Sequence, residues 1–489
     1  MRLNKELVMD YQEFPERIIQ FGEGNFLRAF IDWMVNEMND KADFNSSVVL
    51  VQPIDKGMVD MINEQDGLYT LILKGLRNGL PSHESQLIQS VSRGINPYAD
   101  FDEYLKLAEN PNMRFVISNT TEAGIAFSAD DRPDMKPPKT YPGKLTVLLH
   151  HRFKTFGNDK SKGFIILPCE LIDRNGDELK KCVLKYCELW GLEKAFVNWL
   201  NEACVFCCTL VDRIVPGYPF DTAKEIEAKL GYEDKSLVEA EPFHLWVIEG
   251  PEWIKNELPT EAANLNVLVV RDMTPYRTRK VRILNGAHTS MMPVAYLSGI
   301  ETVREAVEHP MVGKFISQTL HEEIIPTLDL PKEELVNFAE DVNERFRNPY
   351  IKHALMSISL NSISKYKARV LPSLTGYVKI KGNVPERMTF SLAALIAFYR
   401  GKNGNETIAV KDDEYILSFF KTLWNDFDSK KINEDKLVSA VLKETSFWGS
   451  DLTAISGLKE MTSEYLREIL QLGMLKALDQ FMSSKAIQK

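Results

Sequence analysis

Lys280, Asn285 and His288 place an amine, an amide and an imidazole at spacings of five and three residues. On a regular helix, at about 100° per residue, they fall at roughly 0°, 140° and 80°. Three polar heads could therefore converge on one point while Val281, Ile283 and Leu284 pack the helix down. A proton-transferring amine flanked by two hydrogen-bond donors is what carbonyl–alcohol redox chemistry needs where no metal is used. The bland alternative is an exposed cationic helix, since Arg277, Arg279 and Arg282 crowd the same stretch and Arg271 precedes it.

Those residues need a scaffold, and the pattern of apolar runs supplies one. Arg17–Phe21, Val48–Val51, Arg114–Ser118 and Gly163–Leu167 are short, β-branched and continuous, as strands buried on both faces are. Helical patterns lie between them: Asn25 to Met38, Asp100 to Glu109 and Pro142 to Phe153. Alternation of this kind predicts an α/β fold, an N-terminal Rossmann-like doubly wound domain. After Asn266–Val270 the periods turn helical, at Leu330–Arg345, Asn348–Ser364, Met388–Arg400 and Thr462–Met482. A mostly α-helical C-terminal domain should follow, which divides the chain into residues 1–272 and 273–489. Gly401 to Asn405 reads as a surface loop.

With 489 residues the chain exceeds one core. A net charge of −10 argues against nucleic acid or an anionic membrane surface as partner, but not against a small anion in a local cationic pocket. The N-terminus has no signal-peptide core and no run approaches the roughly 18 apolar residues of a membrane span. Six cysteines confined to the middle third form no disulfide framework, so a cytoplasmic location is expected. Cys204, Cys207 and Cys208 lack a second ligand pair for zinc and sit among apolar residues, which predicts a buried strand or helix. His321-Glu322-Glu323 lacks a second histidine and reads as a solvated helix face. No metal site is expected. Oligomeric state is not legible in the sequence.

Gly22-x-Gly24 follows the first strand, where one glycine permits a tight turn and the next lets backbone approach a pyrophosphate at a helix N-terminus. Leu27 stands where the usual fingerprint has its third glycine, so the motif is weak alone. After the second strand Asp55 is the available carboxylate for ribose hydroxyls, with Lys56 beside it, and this favours NAD over NADP. Asn119 to Gly124 follows the third run of this kind; its hydroxyls could line a cofactor or simply cap a helix.

Taken together, Gly22-x-Gly24-x-Phe26-x-Arg28-Ala29, Thr121-Glu122-x-Gly124, Val211-Asp212-Arg213-Ile214, Lys280-x4-Asn285-x2-His288, Arg345-Phe346-x-Asn348-Pro349 and Leu371-Pro372 resemble the polyol-specific long-chain dehydrogenases, the mannitol dehydrogenase family. The resemblance spans nearly the whole chain and is closest to a branch that handles sugar acids. It implies reversible, metal-independent hydride transfer with NAD between a sugar acid and its keto acid. Lys280 is then the general acid–base, with Asn285 and His288 polarising the reacting oxygen. It further implies cofactor binding by Phe21, Gly22, Gly24, Asn25, Phe26, Asp55, Thr120, Thr121 and Glu122. Asp212 maps onto an acid near the family's site. His353, Ser357, Asn361 and Lys365 recur at i+4 steps, one polar stripe if 348–365 is a single helix. His353 makes that stripe less anionic than in polyol-processing members, and Lys365, backed by Lys352 and Arg369, is the candidate for a substrate carboxylate. Arg279 and Arg282 are candidates to lower the lysine's basicity. Rival readings are another uronate or polyol dehydrogenase and, in a different class, a non-catalytic NAD-binding sensor.

Overall fold

Six strands form one parallel sheet: β1 (Glu16–Phe21), β2 (Ser47–Val51), β3 (Val91–Ile95), β4 (Phe115–Ser118), β5 (Ile165–Pro168) and β6 (Val205–Phe206). This computed structural model describes residues 1–77, 79–121, 123–404 and 406–486. The spatial order β3-β2-β1-β4-β5-β6 is the doubly wound order, with its switch point between β1 and β4. Alternation along each strand explains why both faces are covered. Ile18, Val48, Leu50, Phe115, Ile117, Ile165 and Leu167 enter one apolar layer. Ile19, Phe21, Val49, Val51, Val116 and Ile166 enter the other, beneath the helices Tyr141–Phe156 and Asn175–Leu189. A strand buried on both sides must be apolar at every position, which is how these runs read in the sequence.

Two smaller sheets were not legible. One has the order 238–240, 69–77, 80–88; the other joins Val267–Val270, Leu245–Glu249 and Cys208–Asp212. Strand Leu80–Ile88 is mostly exposed and polar, so it carries no burial signal. Cys204, Cys207 and Cys208 are buried free thiols at the strands Val205–Phe206 and Cys208–Asp212.

Two compact units divide the chain: Met1–Gly75 with Pro81–Met273, and Leu76–Leu80 with Thr274–Lys489. The second unit is helical, as expected, around the helix Glu386–Phe398, which is buried on all sides. Helix Gly286–Leu297 packs against it, and Ser391 Oγ donates to the Ser290 carbonyl at 2.9 Å. No helix among the described residues is long and apolar enough to cross a membrane.

Three helical expectations need correction. Asn348 to Lys365 is not one helix: extended chain leads to Leu355–Ile358, a break at Asn361 with φ +54, and then Ser362–Arg369. Pro349 keeps Asn348 from helical geometry, and Asn348 Oδ1 instead accepts from the Tyr350 amide at 3.0 Å. The segment Thr462–Met482 is interrupted at Gly473, φ +80, between Leu458–Leu472 and Met474–Ala486. Glu323 is no solvated face. It is buried, accepts from the Arg387 and Met388 amides at 2.8 Å each, and pairs with the Arg387 guanidinium, capping the central helix. Of the 401–405 loop, Asn405 lies outside the described residues; Lys402–Asn403 pairs with Glu406–Thr407 as a small ladder.

Candidate active site

In the first unit the glycine turn closes β1. Gly22 has φ +120 and its amide donates to the Val51 carbonyl at 3.1 Å. A Cβ there would stand 3.0 Å from the Asn119 carbonyl oxygen, so the residue joins β1, β2 and β4 where no side chain fits. Gly24 is the opposite case. It caps helix Asn25–Leu27 without any side-chain cap, and a Cβ on it would meet nothing within 4 Å. An uncapped helix start facing open space, at the carboxyl end of a parallel sheet beside its switch point, suits a dinucleotide pyrophosphate.

Around that turn the side chains are mostly committed. Asn25 Oδ1 accepts from the Arg28 guanidinium at 2.7 Å, and Phe26 stacks on Phe30 at 5.0 Å. Phe21 packs inward on Tyr141, ring centroids 4.8 Å apart. Glu23, between the two glycines, accepts from the Met58 amide at 3.1 Å and so ties the turn to the loop after β2. In that loop Asp55 is exposed, its backbone carbonyl held by Gln52 Nε2 at 2.9 Å, which leaves the carboxylate at the surface. Thr120 gives its amide and hydroxyl to Glu170 Oε1 at 3.0 and 2.9 Å, while Ser118 holds the other oxygen at 3.1 Å. Thr121 is exposed with φ +80; Glu122 lies outside the described residues. Asp212 ends its strand buried, opposite Leu245, and the adjoining Arg213 is held by the Glu241 and Ala29 carbonyls and the face of Trp33. Glu23 and Glu170 were not among the site residues expected from the sequence, because their partners lie tens of residues away.

In the second unit the motif helix is not regular. Thr274–Lys280 is α-helical, Val281–Asn285 is a π turn, and Gly286–Leu297 is α-helical again. A π turn acts as one inserted residue, so Asn285 and His288 stand as if four and seven residues beyond Lys280. At about 100° per residue this moves them to roughly +40° and −20°. The spread of about 140° expected for a regular helix contracts to about 60°, and the three heads share one face. All three are half-buried, whereas Ile283, Leu284, Gly286 and Ala287 are buried.

His288 is the best-defined member. Its ring packs on Phe346 at 4.3 Å and edge-on to His353 at 5.0 Å. Its Nε2 is screened from solvent and, among the described residues, has no hydrogen-bond partner. Burial, and then the charges of His353, Arg345, Arg369 and Lys365, hold its basicity well below the usual imidazole range. His353, Lys365 and His288 are thus brought together although the helix expected to align them is broken. Ser357 and Asn361 are not part of the group: both are exposed, and Ser357 Oγ bonds the nearby Ala354 carbonyl. Lys365 Nζ donates to the Ile358 carbonyl at 2.8 Å, and burial lowers its basicity. Arg279 does not serve as a bare cation: it is buried against Phe338 and paired with Glu334. Arg282 donates to the Ala368 carbonyl at 2.8 Å.

A buried imidazole nitrogen without a partner, on one face with an amine and an amide and ringed by cations, can hold an oxygen that gains negative charge in an otherwise anionic ligand.

The family model for the mannitol dehydrogenase Rossmann domain matches residues 16–262, and that for the mannitol dehydrogenase C-terminal domain matches residues 272–470. Altronate oxidoreductase of Bacillus subtilis (strain 168) is 50% identical over 480 residues, covering 98% of each chain. That of Enterobacter sp. (strain 638) is 51% identical over 468 residues, 96% of this chain and 97% of that one. Among solved structures, D-sorbitol dehydrogenase in substrate-free form superposes with TM-score 0.82 at 22% identity, covering 98% of this chain and all (100%) of the other. A Pseudomonas fluorescens mannitol 2-dehydrogenase complex with NAD and D-mannitol gives TM-score 0.66 at 21% identity, covering 99% and 100%. These structures share the fold.

Proposed function

The chain belongs to the mannitol dehydrogenase family, and from that premise we propose that it is an NAD-dependent tagaturonate reductase, interconverting D-altronate and D-tagaturonate. The observation that carries the sugar-acid reading is the cationic surround of His288, where Arg345, Arg369 and Lys365 act on one buried ring. A neutral polyol gives such a cluster nothing to neutralise; a carboxylate does.

The glycine turn and uncapped helix start fit the pyrophosphate, and Asp55 fits an adenosine ribose whose 2′-hydroxyl is free. A 2′-phosphate would meet a like charge there. When bound, the dinucleotide supplies or accepts the hydride. Toward the substrate, Lys280 donates a proton to the carbonyl oxygen as that oxygen gains charge, and takes it back in the alcohol-to-ketone direction. Asn285 donates through its amide and His288 through Nε2. Both are fixed by the helix before charge develops, so little reorganisation is needed at the barrier. His288 remains neutral through the cycle because burial and cationic neighbours oppose its protonation. Asp212 is assigned to a substrate hydroxyl.

A Lys280→Ala variant should bind NADH as the wild type does, read by protein fluorescence, and lose about 10²–10⁴ in kcat. Near-normal turnover in that variant would remove the acid–base assignment. It would also reopen the reading of the chain as a non-catalytic NAD sensor if the wild type were inactive too.

A further inference from the structure

We infer that Arg369 is the residue that grips the substrate's carboxylate and so selects a sugar acid over a neutral sugar. The inference rests on the keto-acid reading above and assigns a role within it that Lys365 was expected to fill.

Arginines that lie buried or half-buried in this protein are held by something. Arg93 pairs with Glu16 and Glu103, Arg114 with Glu257, Arg279 with Glu334 and Arg387 with Glu323; Arg28, Arg152 and Arg213 are bound by backbone carbonyls. Arg369 is the exception: among the described residues its half-buried guanidinium has neither a hydrogen bond nor an ion pair. Desolvating a guanidinium without a partner is costly, and a site that keeps one is built for an anion that arrives later. A guanidinium also matches the two oxygens of a carboxylate in a way an ammonium does not.

Its placement is fixed relative to the chemistry. Arg369 ends helix Ser362–Arg369, and the preceding carbonyl, of Ala368, accepts from Arg282 at 2.8 Å. The Arg369 carbonyl lies so close to Gly286 that a Cβ on that glycine would stand 3.3 Å away. The two helices are therefore held together at the residue that follows Asn285, and the guanidinium is near enough to His288 to act on it. Lys365, one turn earlier, is less suited. Its ammonium already donates to Ile358, and the charge of Asp412 partly offsets its own. Lys365 then adds to the field, while Arg369 makes the directed contact.

The test compares wild type, Arg369→Met and Arg369→Lys in NADH-dependent reduction of tagaturonate at low and high salt, with melting temperatures for all three. The methionine variant should raise KM about tenfold to a hundredfold, as expected for loss of charge-assisted hydrogen bonds. Its kcat should stay near wild type and its melting temperature should equal or exceed the wild type's, since the unpartnered charge is removed; the salt dependence of KM should flatten, and lysine should restore part of the loss. An unchanged KM, or a fall in kcat with no change in KM, overturns the assignment. Turnover of tagaturonate by the wild type isolates this inference from the one it rests on. If the wild type fails with the keto acid both fall; if it succeeds and the methionine variant matches it, only Arg369's role does.

Discussion

His288 shows how far one residue's chemistry is set by its surroundings. The sequence placed it next to an amine and an amide, but not beside His353, Arg345, Arg369 and Lys365, which come from more than fifty positions away. Because burial and those neighbours depress its basicity, the folded protein keeps His288 neutral at a pH where the unfolded chain protonates it. Its contribution to stability is therefore complete above the unfolded value of 6.5 and is lost as pH falls below that value. Melting temperatures measured from pH 7.5 to 5 should drop more steeply for the wild type than for His288→Asn. Parallel curves would show that the ring titrates normally. At this scale the identity of the chemical groups was readable from spacing. The choice of Arg369 over Lys365 for the carboxylate was not, because Arg369 approaches the motif through a backbone contact at Gly286 that side-chain periodicity does not encode.

At the scale of elements, two local irregularities matter most. The π turn at Val281–Asn285 gathers Lys280, Asn285 and His288 onto one face, and a count at 100° per residue cannot foresee it, since hydrogen-bond register leaves no apolar signature. The turn at Gly22 was readable, since a glycine directly after an apolar strand marks a conformation other residues resist. Gly22→Ala should cost about 1–3 kcal/mol from strain at φ +120, more if the Asn119 carbonyl cannot give way. It should also weaken NADH binding; chemical denaturation and a fluorescence titration read the two effects. A third irregularity follows it. In the π turn Arg28–Asp32, Asp32 is buried with one oxygen unpartnered and the other accepting from Tyr69 at 3.1 Å. Burial raises its carboxyl from 3.8 to about 7, against the opposing pull of Tyr69 and Arg28. The folded state thus holds a proton that the unfolded chain has released. The associated stability is present below about pH 4 and lost as pH rises through about 7. Asp32→Asn should flatten the pH dependence of melting between 4 and 8, whereas an unaltered profile would mean Asp32 is ionised throughout. The misread helix at 348–365 has the same lesson: i+4 polar spacing was present, but Pro349 and Asn361 break the backbone that would have made it a stripe.

For the whole molecule, the order of a doubly wound sheet followed by a helical unit was legible because each class of element imposes its own period on the residues it buries. The exposed strand Leu80–Ile88 was not, since it presents no apolar run, and the pairing of the mixed three-stranded sheet was not, since an apolar run such as Val267–Val270 does not say which strands it joins. Cofactor choice is a property of the folded whole and can be read through stability. NADH at about a hundredfold over its Kd should stabilise the protein by about 2.7 kcal/mol, visible as a rise in melting temperature. NADPH at the same concentration should shift it less, because Asp55 would face the added phosphate. Equal shifts would remove Asp55 from the cofactor site.

Substrate choice is the central claim, and it is tested most directly by following NADH oxidation with purified protein and tagaturonate, fructuronate or fructose side by side. The highest kcat/KM is expected for tagaturonate, with fructose far behind because it offers no carboxylate to the cations around His288. Faster turnover of fructose than of either keto acid would contradict it.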